Sequence, residues 1–416
     1  MLLRYNKQPV NVTLNLPGSK SISNRLLILK EIFGNDTMEL QNLSPAQDTQ
    51  DLVKALYQIR ANSTNVIDIG HAGTDMRFLT AFLSTQPGNW ILTGSQRMKE
   101  RPVKQLADAL RQLGADITYI EKEGFPPINI NGKKLTGGLI EIDGSISSQF
   151  ISALLLISPL FEKGLELTIK NNIVSWPYIQ MTIDLLSQFG ITVKQHDNCL
   201  TTTHSKLKTK NLKLFVEPDW SSASYWYSVA ALSKNSIIKL PGLTKNSLQG
   251  DSVLPAIYDK LGVISEFDDS QLILKNKSDY VSEFEYNFQD CPDIAQTVAV
   301  TCLGLGINCH LTGLSTLKQK ETDRLIALKN ELEKFGAEVT ITSNSLSLRS
   351  SKLKTQNVKS QTLDLKLKTY NDHRMAMAFA PLVFIFGQIE IEDPQVVKKS
   401  YPQFWDHLSQ AGISCI

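Results

Sequence analysis

The sequence predicts an α/β protein of two domains, assembled from one repeated unit. Its 416 residues exceed what one core comfortably holds. A phrase also keeps returning: a helical run, then an aromatic residue or Leu, then Gly, a small or β-branched residue, and a strand. It reads Leu110-Arg-Gln-Leu-Gly114, Leu186-Ser-Gln-Phe-Gly190, Tyr258-Asp-Lys-Leu-Gly262, Leu332-Glu-Lys-Phe-Gly336 and, with Ala before the Gly, Leu408-Ser-Gln-Ala-Gly412. These glycines lie 76, 72, 74 and 76 residues apart, a period that means one α/β unit used repeatedly. Each suits the left-handed turn that ends a helix before a strand. Val53 to Ile59 reads as a sixth, degenerate copy without the Gly. Finally, the pattern loosens between Thr201 and Lys210 and resumes through Glu217-Pro-Asp-Trp220 into an Ala/Tyr-rich helix, which marks the expected domain crossing. A solvent loop within one domain is the alternative there.

Taken in order, the first element is a strand-like run, Val12, Leu14 and Leu16, that meets Pro17-Gly18. Ser19 and Ser21 then bracket Lys20, and Leu26, Leu27, Leu29, Ile32 and Phe33 follow at helical spacing up to Gly34. Lys20 and Arg25 therefore open a helix, where free N–H groups carry about +0.5 charge and acids are preferred. Cations placed there call for an anion between them. The same breach recurs at Thr74-Asp-Met-Arg77, Thr322-Asp-Arg324 and Asn371-Asp-His-Arg374, each a capping residue, a basic residue in the first turn and an apolar face. One such Arg reads as a surface residue. Four together predict a strongly anionic ligand held among helix N-termini. Ser350 to Gln361, rich in Ser, Lys and Thr, reads as an exposed hairpin or loop.

Composition narrows the partners. Lys and Arg number 43 against 41 Asp and Glu, a net +2, so nucleic acid is not expected as the main partner. No apolar run approaches the roughly 20 residues of a membrane helix. The opening Met-Leu-Leu-Arg-Tyr-Asn-Lys has no signal or transit pattern, so the expected location is cytoplasmic. Five cysteines without a C-x-x-C pair read as buried or incidental thiols.

The decapeptide Leu16-Pro-Gly-Ser-Lys-Ser-Ile-Ser-Asn-Arg25, Gly70-His-Ala-Gly-Thr-Asp-Met-Arg77, Arg97-Met-Lys-Glu-Arg-Pro102, Gly144-Ser-Ile-Ser-Ser-Gln-Phe150, Lys320-Glu-Thr-Asp-Arg324 and Tyr370-Asn-Asp-His-Arg374 resemble the 5-enolpyruvylshikimate-3-phosphate synthase family in order and spacing, from about Leu16 to Pro402. The resemblance implies an α/β (α+β) fold of two inside-out α/β barrel domains, with six βαβαββ units, three per domain. The first domain would be residues 17–218, on the shikimate 3-phosphate side. The second would be residues 1–16 plus 219–416, on the phosphoenolpyruvate side. It further implies transfer of the enolpyruvyl group of phosphoenolpyruvate to the 5-hydroxyl of shikimate 3-phosphate, without metal or cofactor, by a chain expected to be a monomer. A cleft closing between the domains would bring Lys20, Arg101, Arg324 and Arg374 into one crevice.

By the same resemblance, Lys20, Gly73, Arg101, Gln149, Arg324, Arg374 and Lys399 would bind phosphoenolpyruvate. Arginine suits this because its planar fork takes carboxylate and phosphate bidentately. Lys20, Ser21, Arg25, Ser147, Ser148, Gln149, Ser175, Asp293, Thr316 and Lys320 would bind shikimate 3-phosphate. Asp293 would take the 5-hydroxyl proton and Glu321 would protonate the phosphoenolpyruvate methylene, with Lys20 between the substrates. Lys320 and Arg324, at i and i+4, are expected on one helix face with Glu321 aside. His373 is either a hydrogen-bond donor or a structural residue.

Three residues depart from the family's usual Asn-Ala-Gly-Thr-Ala-Met-Arg-Pro: His71, Asp75 and Phe78. Thr316 stands where an Asn commonly touches the shikimate phosphate. Phe78 replaces a Pro in the helix that positions Gly73, and weakened sensitivity to glyphosate is expected. Among rivals, the related UDP-N-acetylglucosamine enolpyruvyl transferase relies on a cysteine in its first domain, and this chain has no Cys before Cys199. A P-loop is absent, since Ser19 separates Gly18 from Lys20. A non-catalytic phosphorylated-metabolite binding protein on the same fold would have no use for Asp293 and Glu321.

Overall fold

The structure, a computed structural model, describes residues 1–34, 38–203, 212–268, 270–350 and 366–416. Most of Thr201 to Lys210 and of Ser350 to Gln361, read above as a crossing and a loop, lies outside the described residues. The chain divides into two compact units. One comprises Ser19–Val216; the other joins Met1–Gly18 to Glu217–Ile416. Within the latter, Gly18 bridges Pro218 and Asp219 N–H donates to Pro17 O at 2.9 Å, so the outgoing and returning strands are stitched together.

The repeated phrase becomes one motif: two parallel strands with helices between, then two antiparallel strands. In the Ser19–Val216 unit, strand Val66–Asp68 pairs in parallel with Gly88–Thr93, which pairs antiparallel with Ile128–Gly132, itself paired with Asp116–Tyr119. Gly138–Asp143, Leu165–Lys170, Cys199–Thr202 and Val193–His196 repeat that order. In the other unit, Glu283–Asn287, Asn308–Thr312, Leu346–Ser350 and Ala337–Ile341 do so again. A further sheet there borrows the first strand of the chain: Leu2–Tyr5 lies between Gln388–Ile391 and Ile413–Cys415.

Two repeats exchange strands. Asn11–Thr13 leads into helix Lys20–Phe33 and then strand Met38–Gln41, while Leu212–Phe215 leads into helix Trp220–Leu232 and then Ile237–Pro241. Yet Asn11–Thr13 pairs in parallel with Ile237–Pro241, and Leu212–Phe215 with Met38–Gln41. Each crossing strand is thus completed by the strand that follows the other crossing.

The helices nearest each core are apolar around their full circumference, as burial on all sides requires. Every residue of Trp220–Leu232 except Ser221 is buried, and of Ser148–Ile157 only Gln149 is not. Helices of this kind expose little but their first turns, where the polar residues sit.

The repeat glycines take φ of +97°, +76°, +85°, +88° and +86° at Gly114, Gly190, Gly262, Gly336 and Gly412. The degenerate copy solves the same problem with Asn62, which ends helix Gln47–Ala61 at φ +47°. A Cβ added at Gly336 meets nothing within 4 Å, whereas one at Gly137 would stand 2.1 Å from Gly164 O. Conformation alone selects the first glycine; space and conformation select the second. Gly336→Ala is therefore expected to cost about 1–2 kcal/mol, Gly336→Asn less, and Gly137→Ala more than either, read from denaturant unfolding midpoints.

Candidate functional site

In the unit containing residues 217–416, the site grows from helix caps. Asp323 accepts the N–H groups of Leu325 and Ile326 and starts helix Arg324–Lys334. Lys320 consequently lies before the helix, at the end of the 3₁₀ turn Ser315–Gln319, and does not share a helix face with Arg324 as the i,i+4 spacing predicted. The cap accounts for the difference: the Asp323 side chain satisfies the first N–H groups and ends the helix there.

Arg324 is 1% exposed and is surrounded by carboxylates. Its Nε donates to Asp372 Oδ2 at 2.7 Å, one terminal nitrogen to Asp293 Oδ1 at 3.1 Å, and the other to Glu321 Oε2 at 2.9 Å. Asp372 also caps helix His373–Phe379 by accepting Arg374 N–H at 2.9 Å, after a turn in which Tyr370 and Asn371 both take positive φ. Arg374 reaches Asp293 Oδ2 at 3.2 Å and donates to Tyr225 Oη and Ser221 Oγ at 3.4 Å each. Lys320 lies 3.2 Å from Asp293, and Lys399 lies 3.6 Å from Glu321. Three carboxylates thus meet four cations, an arrangement left with one positive charge.

The electrostatics follow. Burial pushes the Asp293 carboxyl up, but Arg374, Lys320 and Arg324 outweigh it and hold the group well below the usual carboxylate range. Burial pulls the Lys320 ammonium down, against the opposing charge of Asp293. Arg324 is shifted up because Asp372, Glu321 and Asp293 more than offset its burial. The Thr316 hydroxyl is buried with no hydrogen-bond partner among the described residues. His373 is buried beside Asp372.

In the Ser19–Val216 unit, Lys20 is the first residue of its helix and pairs with buried Asp48 at 2.8 Å. The Ser19 hydroxyl just before it is buried without a partner. Arg25 differs from expectation. Lying in the second turn and 2% exposed, it donates to Thr182 Oγ1, Ser21 O, Ser152 Oγ and Tyr178 O. Burial lowers its pKa to about 10. It ties Ser21 to the helices of Ser152 and Tyr178 and has at most one N–H left to offer. Ser175, which precedes helix Trp176–Gln188, is buried at φ +56°.

Gly73 opens helix Gly73–Thr85 with no side-chain cap; Thr74 is already inside it. The Arg101 guanidinium lies against this glycine so closely that an added Cβ would stand 2.4 Å from it. Thr74 Oγ1 accepts from Gln149 Nε2 at 3.2 Å, and Ser147 caps the next helix by accepting Gln149 N–H. Gly73, Arg101, Thr74 and Gln149 are thus brought together, with Ser148 buried next along. Arg77, the fourth of the helix-mouth cations, is not directed at a ligand. It donates to Gly73 O and Pro102 O and is pushed down by burial and by Arg101.

The unusual residues all make contacts. Asp75, fully buried in the first turn, accepts from Asn24 at 2.6 Å. Phe78 lies under the Arg25 guanidinium, 5.3 Å from its ring centre. His71 Nδ1 is 2.9 Å from Ser95 Oγ. Sequence reasoning overlooked Asp372, Asp48, Tyr225 and Ser221. Asp372 stood inside a motif already singled out; Asp48 carried no local signal.

No helix of the described residues is long and apolar enough to cross a membrane. The chain matches the family model described as EPSP synthase (3-phosphoshikimate 1-carboxyvinyltransferase) over residues 5–408. It is 44% identical over 414 residues to a 3-phosphoshikimate 1-carboxyvinyltransferase of Bacteroides fragilis, covering 97% of this chain and 96% of that one. A protein of the same name from Shewanella woodyi is 36% identical, covering 98% and 97%. The EPSP synthase structure from Acinetobacter baumannii superposes with a TM-score of 0.75 at 21% identity over the full length of both chains, which establishes the shared fold. By sequence, length and fold, the chain belongs to the EPSP synthase family.

Proposed function

We propose that the chain is an enolpyruvyl transferase that joins phosphoenolpyruvate to the 5-hydroxyl of shikimate 3-phosphate and releases phosphate, a step of aromatic amino acid biosynthesis. The observation that carries the proposal is the pair Asp293 and Glu321, two carboxylates held among Lys320, Arg324, Arg374 and Lys399. A pure anion receptor would gain nothing from acids placed there. A proton-transferring site for two anions needs both.

In this reading Arg324, Arg374 and Lys399 in one unit, and Lys20, Gly73, Arg101 and Gln149 in the other, are assigned to phosphoenolpyruvate. Ser21, Ser147, Ser148, Gln149 and Ser175, with Asp293, Thr316 and Lys320, are assigned to shikimate 3-phosphate, for which Thr316 offers an unspent hydroxyl. Arg25 serves by fixing Ser21, since nearly all its donors are used. One chain supplies every group named, so a monomer suffices. Both substrates are membrane-impermeant phosphorylated metabolites, which places the reaction in the cytoplasm.

Glu321 gives a proton to the methylene carbon, the adjacent carbon becomes electrophilic, and the 5-oxygen attacks it as its proton passes to Asp293. Loss of a methyl proton from the resulting adduct then expels phosphate. Asp293 is a weak base while three cations face it. Anionic substrates that draw on those cations raise its basicity when the proton must move.

Asp293→Asn and Glu321→Gln should each lower kcat by about 10²–10⁴-fold while substrate binding stays near wild type. Turnover paired with calorimetric titration checks this, and equal loss of both properties would remove the assigned roles. Arg101→Ala and Arg374→Ala should weaken phosphoenolpyruvate by roughly 2–5 kcal/mol and shikimate 3-phosphate far less, read from separate titrations. Gly73→Ala, by displacing Arg101, should raise KM for phosphoenolpyruvate selectively. Phe78, wedged beneath Arg25, should leave the enzyme less sensitive to glyphosate than Phe78→Pro, which an inhibition constant for each protein decides.

A further inference from the structure

One buried acid next to this cluster has no part in the steps above. Asp251, 3% exposed, sits in the 3₁₀ turn Gly250–Val253. Its neighbour Gln249 anchors that turn, accepting Trp220 N–H at 3.0 Å and donating to Pro218 O at 2.8 Å. One Asp251 oxygen accepts the Ser221 hydroxyl; the other is buried without a hydrogen-bond partner among the described residues. Ser221 has a single proton and spends it on Asp251. Its oxygen can therefore only accept from Arg374, and it does so at 3.4 Å. Without Asp251, the Ser221 hydroxyl is free to turn its hydrogen toward the guanidinium.

The argument rests on the role assigned above to Arg374. We propose that Asp251 is a positioning residue for the transfer reaction: through Ser221 it fixes which face of the Arg374 guanidinium is offered to phosphoenolpyruvate, and its proton is taken up as that substrate binds. Asp251 is surrounded by Asp293, Asp219 and the Cys291 thiol on the anionic side, and by Ser221 and Arg374 on the stabilising side. Burial first, and the charge of Asp293 second, raise its pKa to about 7. An anion arriving at Arg374 draws off the charge that favours the carboxylate and raises this further. By reciprocity, ionised Asp251 must weaken the anion's binding by the same factor. The sign is fixed: KM for phosphoenolpyruvate rises as pH passes upward through neutrality.

Steady-state phosphate release with varied phosphoenolpyruvate, on wild type, Asp251→Asn, Ser221→Ala and Ser221→Thr, tests this between about pH 6 and about pH 9. Wild-type KM for phosphoenolpyruvate should climb by about tenfold more than that of Asp251→Asn, a factor that corresponds to one unit of pKa change on binding. Titration of the substrate's own phosphate is common to both proteins and cancels. Ser221→Ala should raise KM for phosphoenolpyruvate at every pH, and Ser221→Thr should restore it. KM for shikimate 3-phosphate should stay put in all three variants. A wild-type pH profile in Asp251→Asn, or parallel changes in kcat and both KM values, would overturn the proposal. Wild-type turnover itself reports on the proposed function. The same pH series run as calorimetric binding of phosphoenolpyruvate to wild type and Asp251→Asn reads Asp251 independently of turnover.

Discussion

Much of the unit that carries the acids depends on one guanidinium. Arg324 is nearly inaccessible and bonds three carboxylates, Asp293, Glu321 and Asp372, each from a different stretch of chain. A buried charge is tolerated only when paired and hydrogen-bonded, and Arg324 meets both conditions. In doing so it sets where two proton-bearing groups sit and fixes Asp372, whose second duty is to start the helix of Arg374. Arg324 thereby links the placement of the acids to the placement of the next cation.

Helix geometry supplies the other half of the arrangement. Each repeat ends its strand at a helix mouth, and several mouths carry a cation where the macrodipole disfavours one. The protein offsets part of that cost with its own carboxylates: Asp48 against Lys20, and Asp372 against Arg324. These ion pairs keep the cations ordered without a ligand. They also place each cation beside a group whose protonation responds to an incoming anion. The conflict between charge and dipole, visible in the sequence as a broken rule, reflects a site prepared for anions.

The departures from the usual family motif share a direction. Asp75 grips Asn24, and Phe78 lies under Arg25, so both unusual side chains of helix Gly73–Thr85 hold consecutive residues of helix Lys20–Phe33. The helix that presents Gly73 is thus locked to the helix that presents Lys20 and Ser21 by a buried carboxylate and a cation–π contact, both inside one unit.

The repeat, its glycine punctuation and the cations at helix mouths were legible in the linear chain, because periodicity and capping are local properties. Left-handed backbone at Gly336 needs no tertiary partner to be inferred, and the α/β class follows from the spacing alone. Folding decided what those charged groups touch. Arg25 and Arg77 carry the same local signature as Arg324, yet hydroxyls and carbonyls from distant segments, or one turn away, consume their donors. Lys320 left the helix face that its spacing suggested, and Asp251 acquired its place beside Ser221 and Arg374 through a turn 30 residues along the chain. A side chain's partners are set by packing between segments far apart in sequence, and for a buried charge those partners determine the chemistry.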